Sequence, residues 1–359
     1  VFTHSLCLIF YIKRGKIISK IISKMGGTGM SDYVPPFTIS NTMLELVSEI
    51  SEKVGRINSH KELENKPYLR RNNRIRSIHS SLKIEANSLS LSEVRDVING
   101  HLVMGDQKEI QEVKNAYEAY KHVADINPSS ISDLKKIHGI MTFKTVRESG
   151  TFRKGEEGVF SGDECIFVAP PPRMVDKLMN NLLTWVKKSE GSVHPLILSS
   201  VFHYEFVFIH PFSDGNGRMA RLWNTVILYR WRDIFEYIPL ESQIEKYQAE
   251  YYAAIAKCHE NGNSNIFIEF MLNMISQILD EVIIQISKSN TDISEYVKRL
   301  LEVMEYDVPY TANTIMDLLG LKSKETFRKN YINPAMDLGL VRMTLPDKPN
   351  SRNQRYVKQ

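Results

Sequence analysis

Twelve consecutive residues, from His210 to Arg221, bring together side chains suited to acid–base and metal chemistry. His210 carries an imidazole, whose ordinary pKa suits proton abstraction near neutral pH, which predicts a general base. Asp214 lies four residues further on. A lone carboxylate beside phosphate groups is a usual ligand of Mg²⁺, which keeps most of its waters. The spacing therefore predicts a base and a metal ligand in one short loop.

The same run contains Gly215-Asn216-Gly217, directly before a predicted helix. Backbone N–H groups of a glycine turn that leads into a helix form an anion site, because unpaired donors and the positive end of the dipole point the same way. Arg218 and Arg221 lie on one face of the first helical turn, where two guanidinium groups can bind further phosphate oxygens. Phosphate is the expected ligand, and Asn216 is expected to bond either the loop or a phosphate.

Each feature also has a purely structural explanation. A lone histidine at a helix end is more often a capping or core residue, two arginines at this spacing are usually a solvated face, and glycine turns are common. The conjunction of His210, Asp214, the Gly-Asn-Gly turn and both arginines within twelve residues favours function over those explanations. Phe212, in the same run, is expected to turn inward and anchor the loop.

The elements that must position this loop are helices. Apolar residues at three- and four-residue steps predict helices at residues 43–57, 110–124, 175–186, 196–209 and 218–231, and the capping-box pattern Ser90-Leu-Ser-Glu93 predicts the start of another. The best strand signal is a short hairpin at residues 158–168, ended by three prolines. The sequence thus predicts an all-α protein with one small β-hairpin.

The run His210-Pro-Phe-Ser-Asp-Gly-Asn-Gly-Arg-Met-Ala-Arg221 matches the HxFx(D/E)GNGRxxR signature of the Fic family at every defined position. The chain resembles this family from about Pro35 to Leu279. The resemblance implies a Fic-type helical core with a hairpin, called the flap, over the site. It also implies transfer of AMP from Mg²⁺-bound ATP to a Ser, Thr or Tyr hydroxyl of a target protein, with His210 as the base.

The resemblance assigns the remaining residues of the run as well. Asp214 would hold Mg²⁺ against the nucleotide phosphates, Gly215 to Gly217 would form the anion hole, and Arg218 and Arg221 would bind the phosphate tail of ATP. These assignments agree with the chemistry expected from the residues themselves.

Two further regions are interpreted through the same resemblance. Residues 158–169 correspond to the flap, whose backbone would pair with an extended target segment, although a plain surface hairpin is the alternative. Tyr251 would contact the nucleotide. His259 stands where many relatives have asparagine, which weakens the case for a contact with the base there.

Ser81-Leu-Lys-Ile-Glu85 resembles the inhibitory motif of the family, a Ser or Thr four residues before a Glu. The resemblance implies that Glu85 forms a salt bridge with Arg221 and removes the group meant for the terminal phosphate of ATP. Ser81 lies one helical turn earlier and is expected to orient the carboxylate. Ala86 departs from the usual Gly or Asn. The alternative is a solvated glutamate on an amphipathic helix.

Composition places the chain among ordinary globular proteins, with 42% apolar and 25% charged residues. Three widely spaced cysteines argue against a disulfide framework or a structural zinc site and fit a reducing, cytoplasmic location. Residues 320–359 contain nine Lys or Arg against three Asp or Glu. This basic segment reads as helix, turn, helix and two strands, and resembles a winged helix, so DNA is one candidate partner beside protein contacts or simple packing.

The predicted organisation has four parts. Residues 1–30 form an upstream arm whose apolar run is too short to span a membrane, and the natural start is expected at Met25 or Met30. Residues 31–145 form an N-terminal helical region with the inhibitory helix, residues 146–285 the Fic core, and residues 291–359 a winged helix-turn-helix. No membrane partner is expected, and the resemblance implies a homodimer.

These observations converge on one leading hypothesis, an autoinhibited protein adenylyltransferase that uses ATP and Mg²⁺ and can modify itself. One alternative is a DNA-binding transcription regulator in which the helical core senses nucleotide. Another is a Fic enzyme that removes AMP from its target.

Overall fold

Helices make up most of the protein. The computed structural model describes residues 33–59, 67–161, 164–288, 294–305, 308–338, 340–349 and 351–358, and the predicted upstream arm at residues 1–30 lies outside these ranges. Up to residue 288 the helices are α1 (Asn41–Ser59), α2 (Pro67–Ile84), α3 (Leu91–Ile98), α4 (Gln107–Tyr120), α5 (Ile131–Met141), α6 (Pro172–Ser189), α7 (Pro195–Ile209), α8 (Asn216–Trp231), α9 (Leu240–Lys246), α10 (Gln248–Asn261) and α11 (Asn265–Lys288). A 3₁₀ turn at Asp233–Tyr237 follows α8.

Helices α7 and α8 form the centre of the fold. Every side chain from Leu196 to Phe206 of α7 is buried, which explains why its apolar residues run almost without a break. The outer helix α6 instead buries one face, with Val175, Leu178 and Leu182 among its contacts. Since both central helices are packed all round, the loop between them has two fixed ends.

The helices predicted from the sequence are present with small shifts at their ends. The capping box at Ser90 is formed, and it starts α3. Helix α4 begins three residues earlier than predicted, at Gln107, because the Asp106 carboxylate accepts hydrogen bonds from the N–H groups of Lys108 and Glu109. It ends at Tyr120, four residues before the predicted end.

One hydrophobic core extends from Met43 to Ile286 and therefore includes residues of both predicted regions, 31–145 and 146–285. A second, separate core extends from Val297 to Tyr356. The predicted domain boundaries stay predictions.

None of the helices in the described ranges is long and apolar enough to cross a membrane.

Two small antiparallel sheets lie within the described ranges. The first is the predicted hairpin, β1 (Gly158–Ser161) with β2 (Glu164–Val168). The second belongs to the C-terminal module, which contains α12 (Glu295–Val303), β3 (Pro309–Tyr310), α13 (Ala312–Leu319), α14 (Lys324–Thr326), a π-helical segment (Phe327–Ile332), α15 (Asn333–Asp337), β4 (Val341–Met343) and β5 (Tyr356–Lys358). The strand order is β3-β5-β4, so a third strand joins the two that the sequence predicts. The mostly helical fold with small sheets confirms the predicted fold class.

Candidate active site

The loop between α7 and α8 is held by its own side chains. The amide of Asn216 bonds the loop and not an outside group: its Oδ1 accepts from the Phe212 N–H at 3.0 Å, and its Nδ2 donates to the Phe212 carbonyl at 2.8 Å. Gly215 adopts a φ of +81°, a conformation that side chains disfavour. His210 ends α7 in the left-handed region, with a φ of +50°. A non-glycine residue in this region costs about 1 kcal/mol or more, so the surroundings must hold His210 in place.

His138 of α5 packs against the loop and hydrogen-bonds to it. Its ring stacks on Phe212, with ring centres 3.6 Å apart, and Phe212 is fully buried, as the sequence predicts. Its Nδ1 accepts from the Gly150 N–H at 2.9 Å, so the proton lies on Nε2, which donates to the Asp214 carbonyl at 3.0 Å. Burial lowers the pKa of His138 to about 4. The ring is therefore neutral near pH 7, as this hydrogen-bond pattern requires.

Arg221 and Glu85 form the salt bridge that the inhibitory motif predicts. Arg221 Nη2 lies 2.7 Å from Glu85 Oε1, and Arg221 is 2% exposed. Ser81 contacts the arginine and not the carboxylate, which corrects the expected role of this residue. Its Oγ accepts from Arg221 Nε at 3.0 Å, and its carbonyl accepts from Nη2 at 2.8 Å. Helix α2 and Glu85, the residue that follows it, therefore place three acceptors on Nε and Nη2 of this guanidinium.

The Glu85 carboxylate lies against the first turn of α8. A Cβ added at Gly217 would overlap Glu85 Oε1 and would come within 3.0 Å of Arg221 Nη1. Only glycine at this position lets an oxygen approach the backbone so closely. An anionic group of the protein thus sits where the helix N-terminus, the glycine turn and Arg221 converge. The structure itself shows that this place accepts an anion.

Arg218 is also paired with carboxylates. Its Nη2 donates to Asp214 Oδ1 at 3.0 Å, and its Nη1 lies 3.4 Å from Glu112 Oε1 of α4. Glu112 in turn accepts from the Asn87 side chain, three residues after α2, at 3.0 Å. Both arginines of the predicted phosphate site are therefore engaged by carboxylates of the protein.

Asp214 is the residue that fits a magnesium ion. Its Oδ1 is used by the Gly215 N–H and by Arg218, while the side chain remains 42% exposed at the mouth of the anion site. Within the described residues no group of three or more His, Cys, Asp or Glu side chains could hold a metal ion. A single carboxylate suits Mg²⁺ bound together with phosphates, because this ion usually takes only one or two protein ligands there.

The imidazole of His210 is half-buried at the end of α7. Burial is the main influence on the pKa of His210 and lowers it, and the positive charge of Arg153 lowers it further. The hydrogen bond to the Val207 carbonyl and the charges of Glu85 and Asp214 raise the pKa. The net direction is downward, so His210 is neutral near pH 7 and can accept a proton.

Tyr251 lies in the interior behind Arg221. It is 2% exposed, and its hydroxyl is 2.9 Å from His203 Nε2. Its neighbour Tyr252 is 48% exposed. A direct contact of Tyr251 with nucleotide stays a prediction. His259 is buried and hydrogen-bonds the Tyr204 hydroxyl through Nδ1 at 2.9 Å.

Sequence reasoning missed three residues that organise the site: Glu112, His138 and Arg153. Each acts through a contact with a residue far away in the chain, such as the 3.0 Å bond from His138 to Asp214. No spacing pattern could have found them, because the partners meet only after the helices pack.

Fold and site together define a class: a helical protein with an anion site at a glycine turn, a neutral histidine beside it, and an internal carboxylate in the anion position. The chain belongs to the Fic family. Residues 128–228 match the Fic/DOC family model, and residues 295–357 match the model of the Filamentation induced by cAMP protein Fic-like, C-terminal domain.

Solved structures and curated proteins agree with this assignment. A Fic family protein from Desulfovibrio desulfuricans G20 is 40% identical, with a TM-score of 0.69 over 91% of this chain and 98% of that one. Fic-1 from C. elegans (aa134–508) shares the fold. It is 21% identical, with a TM-score of 0.53 over 80% of this chain and 79% of that one.

Two curated relatives are both named Protein adenylyltransferase Fic. The Aedes aegypti protein is 29% identical over 57% of this chain and 41% of its own length. The Nematostella vectensis protein is 33% identical over 43% of this chain and 37% of its own length. The chain thus spans about two fifths of the length of these relatives.

Proposed function

We propose that this protein transfers AMP from ATP to a Ser, Thr or Tyr hydroxyl of a protein and that Glu85 holds it inactive. The observation that carries the proposal is the Glu85 carboxylate bound to Arg221 at the N-terminus of α8. An internal anion in this position supports the proposal of a phosphate site, and its salt bridge would compete with any phosphate that binds there. The names of the curated relatives support the same activity.

In the proposed reaction the target hydroxyl attacks the α-phosphorus of ATP. The new bond joins the hydroxyl oxygen to the α-phosphorus, the bond from that phosphorus to the β-phosphate bridging oxygen breaks, and pyrophosphate leaves. His210 takes the hydroxyl proton, since its ring is neutral near pH 7. The N–H groups at Gly215 to Gly217 and the guanidinium groups of Arg218 and Arg221 hold the phosphates, so catalysis depends on position and charge neutralisation.

Asp214 would hold Mg²⁺, whose charge would neutralise the phosphates of ATP. Its free carboxylate oxygen and its exposure at the mouth of the site fit this role. The carboxylate also pairs with Arg218 and thereby sets the position of that side chain.

The inhibition follows from competition for one guanidinium group. Glu85 occupies Arg221 Nη2, and Ser81 occupies Nε. A terminal phosphate of ATP needs the same donors, so ATP would bind in a displaced position while α2 is in place, and the α-phosphorus would not align with the target hydroxyl.

The test compares Glu85→Gly, His210→Ala and the double variant by incorporation of labelled AMP into the protein itself. We expect Glu85→Gly to raise incorporation at least tenfold and His210→Ala to abolish it in either background. Glu190→Gly is the matched control, because Glu190 is, like Glu85, a glutamate directly after the end of a helix, and it is exposed. No gain in Glu85→Gly would contradict the inhibition, and no incorporation in any variant would contradict AMP transfer.

The direction of the reaction is tested with protein that has been modified in the Glu85→Gly reaction. Release of AMP from this material by the unsubstituted protein would favour the alternative in which Glu85 serves AMP removal. The homodimer and the cytoplasmic location stay predictions.

A second candidate function, DNA binding, is favoured by the charge of the C-terminal module. Six cations are exposed on the helix-turn-helix and the connection between β4 and β5, and none forms an ion pair with a carboxylate of the described residues: Lys322, Lys324, Arg328, Lys329, Lys348 and Arg352. Arg328 and Lys329, in the π-helical segment, line an open cleft of roughly 430 Å³ together with Lys324, Glu325 and Asn333. A helix of this charge suits the phosphates that border a major groove.

DNA binding is tested by fluorescence anisotropy of a labelled duplex at several salt concentrations. We expect the double variant Arg328→Ala, Lys329→Ala to weaken binding and to reduce the salt dependence by about one unit of slope per lost phosphate contact. Lys177→Ala, Lys187→Ala on α6 serves as the charge-matched control. No binding at low salt would exclude this function.

A further inference from the structure

Arg153 joins the flap to the catalytic loop. It is 3% exposed. Its backbone N–H and its side chain donate to the carbonyls of five residues: Pro211 at 2.9 Å, His210 at 2.7 Å, Ile209 at 3.5 Å, Gly155 at 2.8 Å and Pro170 at 2.5 Å. Three of these carbonyls belong to the end of α7 and the start of the catalytic loop, and two lie just outside the ends of the hairpin.

The buried guanidinium of Arg153 contacts carbonyl oxygens directly, and the carboxylates of Glu157 and Glu156 act on its charge from a greater distance. No carboxylate of the described residues lies within ion-pair distance of Arg153. The partners at Ile209 and His210 are carbonyls at the C-terminus of α7, which carry the negative end of the helix dipole. The planar guanidinium directs donors toward both helix and hairpin at once, which a single lysine nitrogen does not reproduce.

Resting on the proposed function, we propose that Arg153 is a positioning residue that fixes the flap at a set distance from the imidazole of His210. Through the carbonyl of His210 it holds the left-handed backbone of that residue, and through Gly155 and Pro170 it holds both ends of the hairpin. A target segment paired with the hairpin edge then presents its hydroxyl in register with the base. Loss of this register lowers the rate of transfer and leaves the phosphate site intact.

The test uses Arg153→Lys in the Glu85→Gly background, with Arg147→Lys as the control because Arg147 is an exposed arginine of the same connection. We expect self-modification to fall about 100-fold, the loss typical of a misplaced reacting group. The Kd for α,β-methylene ATP with Mg²⁺ should stay within threefold. If Arg153→Lys retains the rate of the control, a charge alone suffices and the proposal is wrong. Absence of transfer in Glu85→Gly itself would instead refute the proposed function.

A second measurement depends neither on catalysis nor on the folding of a variant. In the unsubstituted protein, hydrogen exchange should show one common opening free energy for the Arg153 N–H, bonded to the Pro211 carbonyl, and the Ala169 N–H, bonded to the Glu157 carbonyl at the base of the hairpin. Exchange of Ala169 at least tenfold faster than that of Arg153 would show that the hairpin opens independently, and this result would overturn the proposal.

Discussion

At the scale of single residues, Gly217 and Glu85 depend on one another. The carboxylate can reach the first turn of α8 only because no Cβ stands at position 217. In the proposed function the same space receives phosphate oxygens of ATP, so Glu85 would act there as a mimic of the substrate. The proposed inhibition and the proposed catalysis would then share one steric requirement, the absence of a Cβ at position 217.

Replacing Gly217 with alanine tests whether moving the Glu85 carboxylate away from Arg221 is by itself enough to activate AMP transfer. The added methyl group meets the ends of two flexible side chains, Glu85 and Arg221, so we expect the protein to fold and the carboxylate to move away. We do not expect activation, because the methyl group also excludes the phosphate. Calorimetric ATP binding and AMP incorporation should both remain low in Gly217→Ala, even combined with Glu85→Gly.

Gly55→Ala is the control for this variant, since a Cβ there meets no atom within 4 Å. Activity of Gly217→Ala equal to that of Glu85→Gly would show that the phosphate lies elsewhere.

At the scale of elements, His138 ties α5 to the catalytic loop in a way that depends on its protonation. Its pKa is lowered to about 4 in the folded protein, against an ordinary value of 6.5. Between these pH values the unfolded chain binds the proton and the folded protein does not. Stability from this group is therefore present above pH 6.5 and is lost as the pH falls toward 4, by up to about 3 kcal/mol.

His138→Phe keeps a ring against Phe212 and removes this titration. We expect the free energy of unfolding by urea to fall less steeply between pH 6.5 and 4.5 in the variant than in the unsubstituted protein. The buried Glu205, whose pKa is raised to about 7, acts in the opposite direction, but it is present in both proteins and cancels. His101→Asn, at an exposed histidine, is the control for removing a histidine as such. Parallel slopes for His138→Phe and the unsubstituted protein would contradict this assignment.

The end of α2 illustrates how a local sequence departure is accommodated. Ala86 adopts a φ of +65°, the left-handed conformation for which glycine or asparagine is preferred at a helix end. The Asn87 N–H still bonds the Leu82 carbonyl at 3.1 Å, so the helix closes in the usual way. The departure at Ala86 thus changes the cost of the helix end and leaves Glu85 in place.

At the scale of the whole molecule, the described residues form two separate hydrophobic cores, and only the first of them contains the candidate site. The first contains the site and ends at Ile286, and the second belongs to the C-terminal module. A contact between them is the ion pair of the buried Arg95 with Glu305, at 3.6 Å. The site therefore draws its stability from the first core.

Deletion of residues 289–359 tests this division. Because the first core remains complete, we expect the shortened protein to unfold cooperatively, as followed by circular dichroism, and to keep AMP incorporation in the Glu85→Gly background within about threefold. Glu305→Gln in the full chain measures the ion pair alone. Aggregation or non-cooperative unfolding of the shortened protein, with Glu305→Gln unaffected, would show that the module contributes to the first core.

The sequence by itself determined the helical fold, the hairpin and the glycine-turn loop, because periodicity, capping patterns and glycine spacing act over neighbouring residues. It also determined the pairing of Glu85 with Arg221, through the resemblance of two short motifs. Only the tertiary structure decided that Ser81 contacts the arginine, that Asn216 bonds the loop, and that Tyr251 is buried. Glu112, His138 and Arg153 became visible only there as well, because each acquires its role from a partner brought close by helix packing, over separations that no local pattern records.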